Sequence, residues 1–261
     1  MSTRHAGRIV DLAVLDLAVL DLVGTTLHDH SVVYSCWLDA VSAVGGRADR
    51  FTLQRWLGPS IHRTLADVSP PAGGDPGPHR EEAVHRDFLE RLAVACVERP
   101  PTPVEGALQV FRELRAGGIR VALTSTFPRD VTTVLLGAVG WDVGAADASV
   151  DALVTADDVP AGRPAPYQVF RAMERTGTQD VARVLVCGDA GLDLRAGTNA
   201  GARYVVGVLT GDRGADTLRS VRHTHVVASV RDLPRLTLPA AHLAAVTPPP
   251  TALAAASPAV R

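Results

Sequence analysis

The sequence lacks lysine altogether, since all 26 basic residues among its 261 positions are arginine. Enzymes that activate a carbonyl substrate through an imine commonly use a lysine amine for that bond. No lysine side chain can form an imine in this chain. Covalent catalysis of that class is therefore excluded for its side chains.

Cysteine is scarce as well. The three cysteines, Cys36, Cys96 and Cys187, are far apart, odd in number and without CxxC spacing. This pattern is typical of buried thiols in a reducing compartment, and it argues against disulfides or a zinc site.

An excess of either charge and a long apolar run are also missing. The net charge is −2 with no basic stripe, which argues against nucleic acid as a partner. No apolar run reaches the ~18 residues of a membrane span, and the N-terminus shows no signal-peptide pattern. We therefore expect a cytoplasmic protein without membrane contact. Its hydrophobic content of 46% and its length are sufficient for a full core.

The most informative stretch is residues 17–26, LAVLDLVGTT. A short aliphatic run that stops at a Gly-Thr turn is typical of a buried strand in a parallel sheet. Asp21 then lies at the carboxyl end of the strand, the edge where open α/β sheets bind ligands. The alternative is that Asp21 only caps the next helix.

Helical and strand patterns alternate from residue 105 onwards, which predicts an α/β fold with a doubly wound, Rossmann-like parallel sheet. The predicted helices cover residues 31–44, 81–97, 105–116, 129–139, 166–174 and 192–200, and the predicted strands cover residues 17–21, 119–123, 152–155, 183–187, 204–208 and 224–227.

The region between the first two predicted strands is helical in pattern, with no clear strand. We expect a core domain formed by residues 9–27 and 103–236, and a helical cap formed by residues 28–102 and inserted after the first strand. Residues 99–103 resemble a linker. Residues 237–261 are rich in Ala, Pro and Thr, and we expect them to be disordered.

Polar residues follow four of the predicted strands. They are Asp21, the segment 124–126 (TST), the segment 157–164 (DDVPAGRP) and the segment 188–193 (GDAGLD). Each has a simple structural explanation as a cap or a surface turn. Together, however, they place carboxylates, a hydroxyl and a guanidinium along one sheet edge. Converging carboxylates repel unless a cation lies among them, and oxygen ligands favour Mg²⁺.

The segments DLVGTT, LTSTF, DDVPAGRPAP and GDAGLDLRAGTNAG resemble the four motifs of the haloacid dehalogenase-like superfamily. Within it, the sequence is most similar to phosphonoacetaldehyde hydrolase and phosphonatase-like hydrolases. Two details carry this narrower resemblance: a small apolar residue at position 23, and Arg163 where most members have lysine. The resemblance covers roughly residues 12–236.

This resemblance implies a role for each motif. Asp21 would be the nucleophile, and Mg²⁺ would be held by Asp21, the Val23 carbonyl and Asp189, with Asp193 orienting a metal-bound water. The remaining candidates would contact the substrate and its phosphoryl group: Gly24, Thr25, either Ser125 or Thr126, and Arg163.

Two positions depart from the superfamily pattern. Many members carry a second aspartate, a general acid and base, where this chain has Val23. Phosphonatases also have a small apolar residue there, but they use a cap lysine, and Ile61 in LGPSI (57–61) takes its place. Among the histidines near these motifs, we select His28 as the candidate replacement acid or base, with a surface or capping role as the alternative.

The sequence thus predicts a Mg²⁺-dependent hydrolase acting on a small phosphorylated or phosphonylated metabolite through an aspartyl-phosphate, without a Schiff-base lysine. The alternatives are a metal-independent 2-haloacid dehalogenase and a non-catalytic phosphate-binding protein. The related enzymes suggest a homodimer.

Overall fold

The computed structural model describes residues 15–45, 78–144, 147–212 and 214–237. The predicted tail beyond residue 237 and the LGPSI segment with Ile61 lie outside the described residues.

Eight strands and eight α-helices form the described part of the chain, with short 3₁₀ turns at residues 156–158, 181–183 and 230–232. The strands are β1 (Leu17–Asp21), β2 (Leu27–His28), β3 (Thr102–Pro103), β4 (Arg120–Thr124), β5 (Ala152–Val154), β6 (Val184–Gly188), β7 (Tyr204–Val208) and β8 (His225–Val227). The helices are α1 (Val32–Ala43), α2 (Pro78–Glu98), α3 (Ala107–Ala116), α4 (Arg129–Ala138), α5 (Tyr167–Thr176), α6 (Gly191–Ala200), α7 (Ala215–Arg219) and α8 (Leu233–Thr237).

Six strands form one parallel sheet in the order β5-β4-β1-β6-β7-β8. The chain order reverses between β1 and β6, which is the switch point where doubly wound sheets bind ligands. The predicted α/β fold is confirmed.

Alternate residues of β1 explain why its sequence is a continuous apolar run. Ala18 and Leu20 belong to the hydrophobic cluster on one face, which includes side chains of α3 and α4. Leu17 and Val19 belong to the cluster on the opposite face, which includes side chains of α5 and α6. Because helices cover both faces, every position of β1 is buried.

Two helices, α1 and α2, lie between β1 and the rest of the sheet in the chain. Buried residues of both, among them Trp37 and Phe88, join the same cluster as the α3 and α4 face. The ends of this insertion meet in a two-stranded antiparallel ribbon, in which His28 is opposite Thr102. The predicted boundaries at residues 28 and 102 fall in this ribbon, and the division into core and cap stays a prediction.

The ribbon corrects two expectations. The region 28–102 does contain strand residues, and the predicted linker ends in β3. Two-residue strands are too short for a period-2 pattern to reveal them. Ser31, the first residue of the predicted helix 31–44, is the N-cap of α1, with φ 60° and no capping hydrogen bond from its side chain.

No helix in the described ranges is both long and apolar enough to cross a lipid bilayer.

Candidate active site

Asp21 is the last residue of β1, and a tight turn follows it. Within this turn the Gly24 N–H donates to the Leu27 carbonyl at 2.8 Å. The Thr26 hydroxyl donates to the carbonyl of Asp21 at 3.0 Å. Gly24 has φ +89°, a conformation that glycine adopts without strain. These bonds fix the backbone on which the Asp21 carboxylate is presented.

Arg163 connects the motifs. Its Nη2 lies 2.6 Å from Asp21 Oδ1 and donates to the Thr124 hydroxyl at 2.8 Å, while its Nη1 is bonded to Asp193. The side chain is only 7% exposed. Burial alone would lower the pKa of this guanidinium, but Asp193 and Asp21 raise it, so Arg163 remains charged.

Three carboxylates converge at the switch point. Asp21, Asp189 and Asp193 each offer an oxygen, and these oxygens lie within 4.8 Å of one another. Burial raises the pKa of Asp21 well above its usual value despite Arg163, and the charges of Asp193 and Asp189 add to the effect. Burial and Asp193 also raise the pKa of Asp189, to about 6.

This donor set fits a divalent cation. Three ionised carboxylates and one guanidinium leave a charge of −2, which one Mg²⁺ would balance. A cation would also reverse the pKa increases, because it favours the ionised carboxylates. The Val23 carbonyl, also predicted to hold the ion, accepts no hydrogen bond from the described residues. Asp21, Asp189, Asp193 and this carbonyl are the groups that could hold the ion.

Asp189 is enclosed by two loops. The Thr25 hydroxyl donates to its Oδ1 at 3.0 Å. A Cβ at Gly24 would lie 2.5 Å from Asp189 Oδ2, and one at Gly211 would collide with the same oxygen. The Thr210 hydroxyl also donates to the Gly24 carbonyl at 2.7 Å. The loop after β7 therefore forms part of the site.

Ser125 and Thr126 differ in their surroundings. Ser125 is 2% exposed, and its hydroxyl accepts from the Phe127 N–H at 3.0 Å and lies 3.1 Å from the Thr132 hydroxyl. Thr126 is half-buried, and its hydroxyl has no hydrogen bond within the described ranges. These contacts favour Ser125 as the candidate phosphoryl ligand.

The loop that carries Arg163 is held by a second ion-pair group. Asp158 accepts hydrogen bonds from Arg129 and Arg175, and from the Thr155 N–H at 2.7 Å. Burial would raise the pKa of Asp158, but these donors outweigh it and hold the pKa far below its usual value. Asp158 stays ionised and joins this loop to α4 and α5.

His28 and Val23 are not joined to the carboxylate cluster by any hydrogen bond or ion pair among the described residues. His28 lies in the β2–β3 ribbon, with its ring centroid 6.2 Å from that of His30. Val23 packs against the hydrophobic cluster that α1 and α2 share with the sheet. The role assigned to His28 stays a prediction.

Cys187, at the end of β6, is buried beside the carboxylates. Burial raises the pKa of its thiol well above the usual value, and Asp193 and Asp21 add to the effect. The thiol therefore stays protonated, which argues against a cysteine nucleophile.

Three residues of the site were not predicted from the sequence: Thr210, Gly211 and Gln168, whose side-chain oxygen accepts from Arg163 Nε at 3.1 Å. The polar segment after β7 gave a signal, since it follows a strand in the same way as the four recognised segments. Gln168 gave none, because a polar residue in the first turn of a helix is common on protein surfaces.

A model of the haloacid dehalogenase-like hydrolase family matches residues 15–201. A phosphonoacetaldehyde hydrolase from Bacillus thuringiensis is 31% identical over 130 residues, which are 50% of this chain and 47% of that protein. The chain thus spans about half the length of the curated relatives it matches.

Solved structures agree on the fold. A hydrolase from Pseudomonas syringae matches with a TM-score of 0.65 at 21% identity, covering 89% of this chain and 100% of that one. A phosphonoacetaldehyde hydrolase-like protein from Oleispira antarctica matches with a TM-score of 0.64 at 17% identity, covering 90% and 98%. At these identities the structures are evidence for the fold alone.

Proposed function

Because this chain belongs to the haloacid dehalogenase-like hydrolases, we propose that it is a Mg²⁺-dependent phosphatase- or phosphonatase-like enzyme that acts through an aspartyl-phosphate. The family predicted from the four motifs is confirmed by the match over residues 15–201. One observation carries the proposal. Asp21 contacts Arg163 and, together with Asp189 and Asp193, forms a carboxylate cluster suited to a divalent cation.

Asp21 is the nucleophile in this proposal. One of its carboxylate oxygens attacks phosphorus, and the bond from phosphorus to the leaving group breaks with the electron pair going to that group. Water then attacks the phosphorus of the aspartyl-phosphate, which releases phosphate and regenerates the carboxylate. Bound Mg²⁺ would supply charge neutralisation for the phosphoryl oxygens.

The other site residues would bind the substrate and orient the reacting groups. The Arg163 guanidinium and the Ser125 hydroxyl would donate to the phosphoryl oxygens. Gly24 and Thr25 would contact the substrate from the turn after β1, where Thr25 also holds Asp189. Asp193 would orient a water molecule on the cation. The cap proposed for residues 28–102 would close over the site and select the substrate.

The substrate proposed is a small phosphorylated or phosphonylated metabolite, attacked without a Schiff base because the chain has no lysine. The regions that would select it include segments outside the described residues. We also propose a homodimer, on the basis of the likeness to phosphonatases alone.

A panel of acyl phosphates, phosphate monoesters and phosphonates, assayed for phosphate release with Mg²⁺ and with EDTA, tests the proposal. Phosphate release that requires Mg²⁺, together with a phosphorylated protein detected by mass spectrometry, is the expected outcome. Chloride release from 2-haloacids that persists in EDTA would identify a dehalogenase instead. Phosphate binding without turnover of any substrate would identify a non-catalytic protein.

A further inference from the structure

The hydrogen bonds of Arg163 account for nearly all of its donors. A guanidinium carries five N–H groups in a fixed planar fork. Nε donates to the Gln168 side-chain oxygen at 3.1 Å, while Nη2 donates to the Thr124 hydroxyl and lies 2.6 Å from Asp21 Oδ1 in an ion pair. Nη1 uses one hydrogen on Asp193. A single N–H of Nη1 is left for a phosphoryl oxygen, so the direction of the whole fork matters.

Gln168 sets that direction from one side. It is 3% exposed in the first turn of α5, and its Nε2 donates to the Ser125 carbonyl at 2.7 Å. The orientation of its amide is unambiguous, because Arg163 can only donate and a carbonyl can only accept. One buried side chain thus links Arg163 to the backbone of Ser125.

We propose that Gln168 is a positioning residue that adapts this site to arginine at position 163, an inference that rests on the proposed function. Its amide holds the guanidinium by Nε, and Thr124 holds it by Nη2. These two contacts fix the plane of the guanidinium, and with it the direction of the remaining Nη1 donor.

A lysine at position 163 cannot satisfy the same surroundings. Its ammonium has three donors at one point, whereas Gln168 meets Arg163 at Nε, in the middle of the side chain. Arg163→Lys would leave the Gln168 oxygen without its donor in a buried place, and a buried unpaired polar group is costly. Gln168→Met keeps a chain of similar length without that acceptor. In the Gln168→Met background, Arg163→Lys should therefore lower kcat less than it does in the wild type.

The test is a double-mutant cycle of Arg163→Lys and Gln168→Met, scored by kcat and KM for Mg²⁺-dependent phosphate release. Thr176→Val is the matched control, because Thr176 is 2% exposed in the same helix and its hydroxyl bonds within α5 and to Thr178. We expect Gln168→Met to lower kcat roughly 10- to 100-fold with a smaller change in KM, the range seen when a supporting partner of a site residue is lost. Thr176→Val should leave both parameters unchanged.

The decisive quantity is the effect of Arg163→Lys in the two backgrounds. We expect its loss of kcat to be at least ~10-fold smaller in the Gln168→Met background than in the wild-type background, since contacting residues are coupled. An equal loss in both backgrounds, or a kcat of Gln168→Met like that of the wild type, would overturn the inference. If Gln168→Met does not fold, Gln168→Leu is used in the same cycle.

Failure of the proposed function can be recognised separately. If the wild type releases phosphate from no substrate, the probe becomes inorganic phosphate with Mg²⁺, measured by the shift in thermal unfolding. A shift that is lost in Gln168→Met and kept in Thr176→Val supports the inference. Equal shifts in both variants, or none in the wild type, overturn it.

Discussion

At the scale of single residues, Asp21 and Asp16 allow a direct comparison, because Asp21 ends β1 and Asp16 immediately precedes it. Asp21→Asn removes the proposed nucleophile and should lower phosphate release at least ~10³-fold. The fold should remain intact, since the change relieves repulsion in a cluster where the pKa of Asp21 is already raised. Turnover assays and thermal unfolding check both expectations.

Asp16→Asn is the control. Asp16 is 40% exposed and pairs with Arg183 at 2.6 Å, away from the carboxylates. It should keep wild-type turnover. Near-wild-type phosphate release by Asp21→Asn would contradict the mechanism.

Gly211 lets the position of Asp189 be tested without changing a charge. A Cβ at Gly211 would collide with the Asp189 carboxylate, whereas one at Gly137 meets nothing within 4 Å. Gly211→Ala should weaken the apparent Mg²⁺ affinity by roughly 10- to 100-fold, as displacement of a supporting group does. Gly137→Ala, in the last turn of α4, should leave the Mg²⁺ affinity unchanged and stabilise the protein by at most about 0.5–1 kcal/mol. Mg²⁺ titrations followed by thermal unfolding separate the two, and equal affinities would show that the loop after β7 does not constrain Asp189.

Val23 should make the rate depend on the leaving group, because its side chain cannot transfer a proton to that group. Aryl and acyl phosphates should therefore react faster than alkyl phosphates, with a rate that falls as the pKa of the leaving group rises. Val23→Asp should flatten this dependence in a plot of log kcat/KM against leaving-group pKa. A flat plot for the wild type would mean that another residue supplies the proton, and His28→Ala would then be the next variant to measure.

At the scale of elements, Asp158 ties the Arg163 loop to α4 and α5. Its pKa is depressed in the folded state, so its contribution is present above the unfolded value of ~3.9 and is lost as pH falls through the folded value. Asp158→Asn should lower the free energy of unfolding by about 1–2 kcal/mol at pH 7, allowing for solvent screening at the exposed Arg129. Urea unfolding should show the difference shrinking below about pH 4.

Asp87→Asn serves as the comparison for that measurement. Asp87 pairs with Arg91 on the surface of α2, where both side chains are well exposed. Its removal should change stability little at either pH. A pH-independent difference for Asp158→Asn would show that the ionised form is not what stabilises the loop.

At the scale of the whole molecule, the carboxylate cluster predicts that Mg²⁺ stabilises the protein. Binding at 100 times the dissociation constant contributes about 2.7 kcal/mol, which corresponds to a rise in Tm of roughly 5–10 °C for a chain of this size. EDTA should abolish the rise, and Asp189→Asn should prevent it. The same rise in that variant would place the ion elsewhere.

The motifs and the strands of the sheet could be predicted from the sequence, because both are patterns of residues that are neighbours along the chain. Strands β1 and β7 have the predicted bounds, and the other predicted strands and helices differ by a few residues at their ends. Asp21, Asp189 and Asp193 could be selected since each follows a buried strand or opens the next helix. The ribbon of β2 and β3 could not, because two residues show no periodicity.

What the sequence determined by itself was the family, the parallel fold and the absence of any lysine for an imine. What only the tertiary structure decided was the set of partners around Arg163 and Asp189. Gln168 reaches Arg163 from the start of α5, and Gly211 touches Asp189 from the loop after β7. Such contacts depend on how helices and loops pack at the switch point of the sheet. Periodicity and spacing describe only neighbours along the chain.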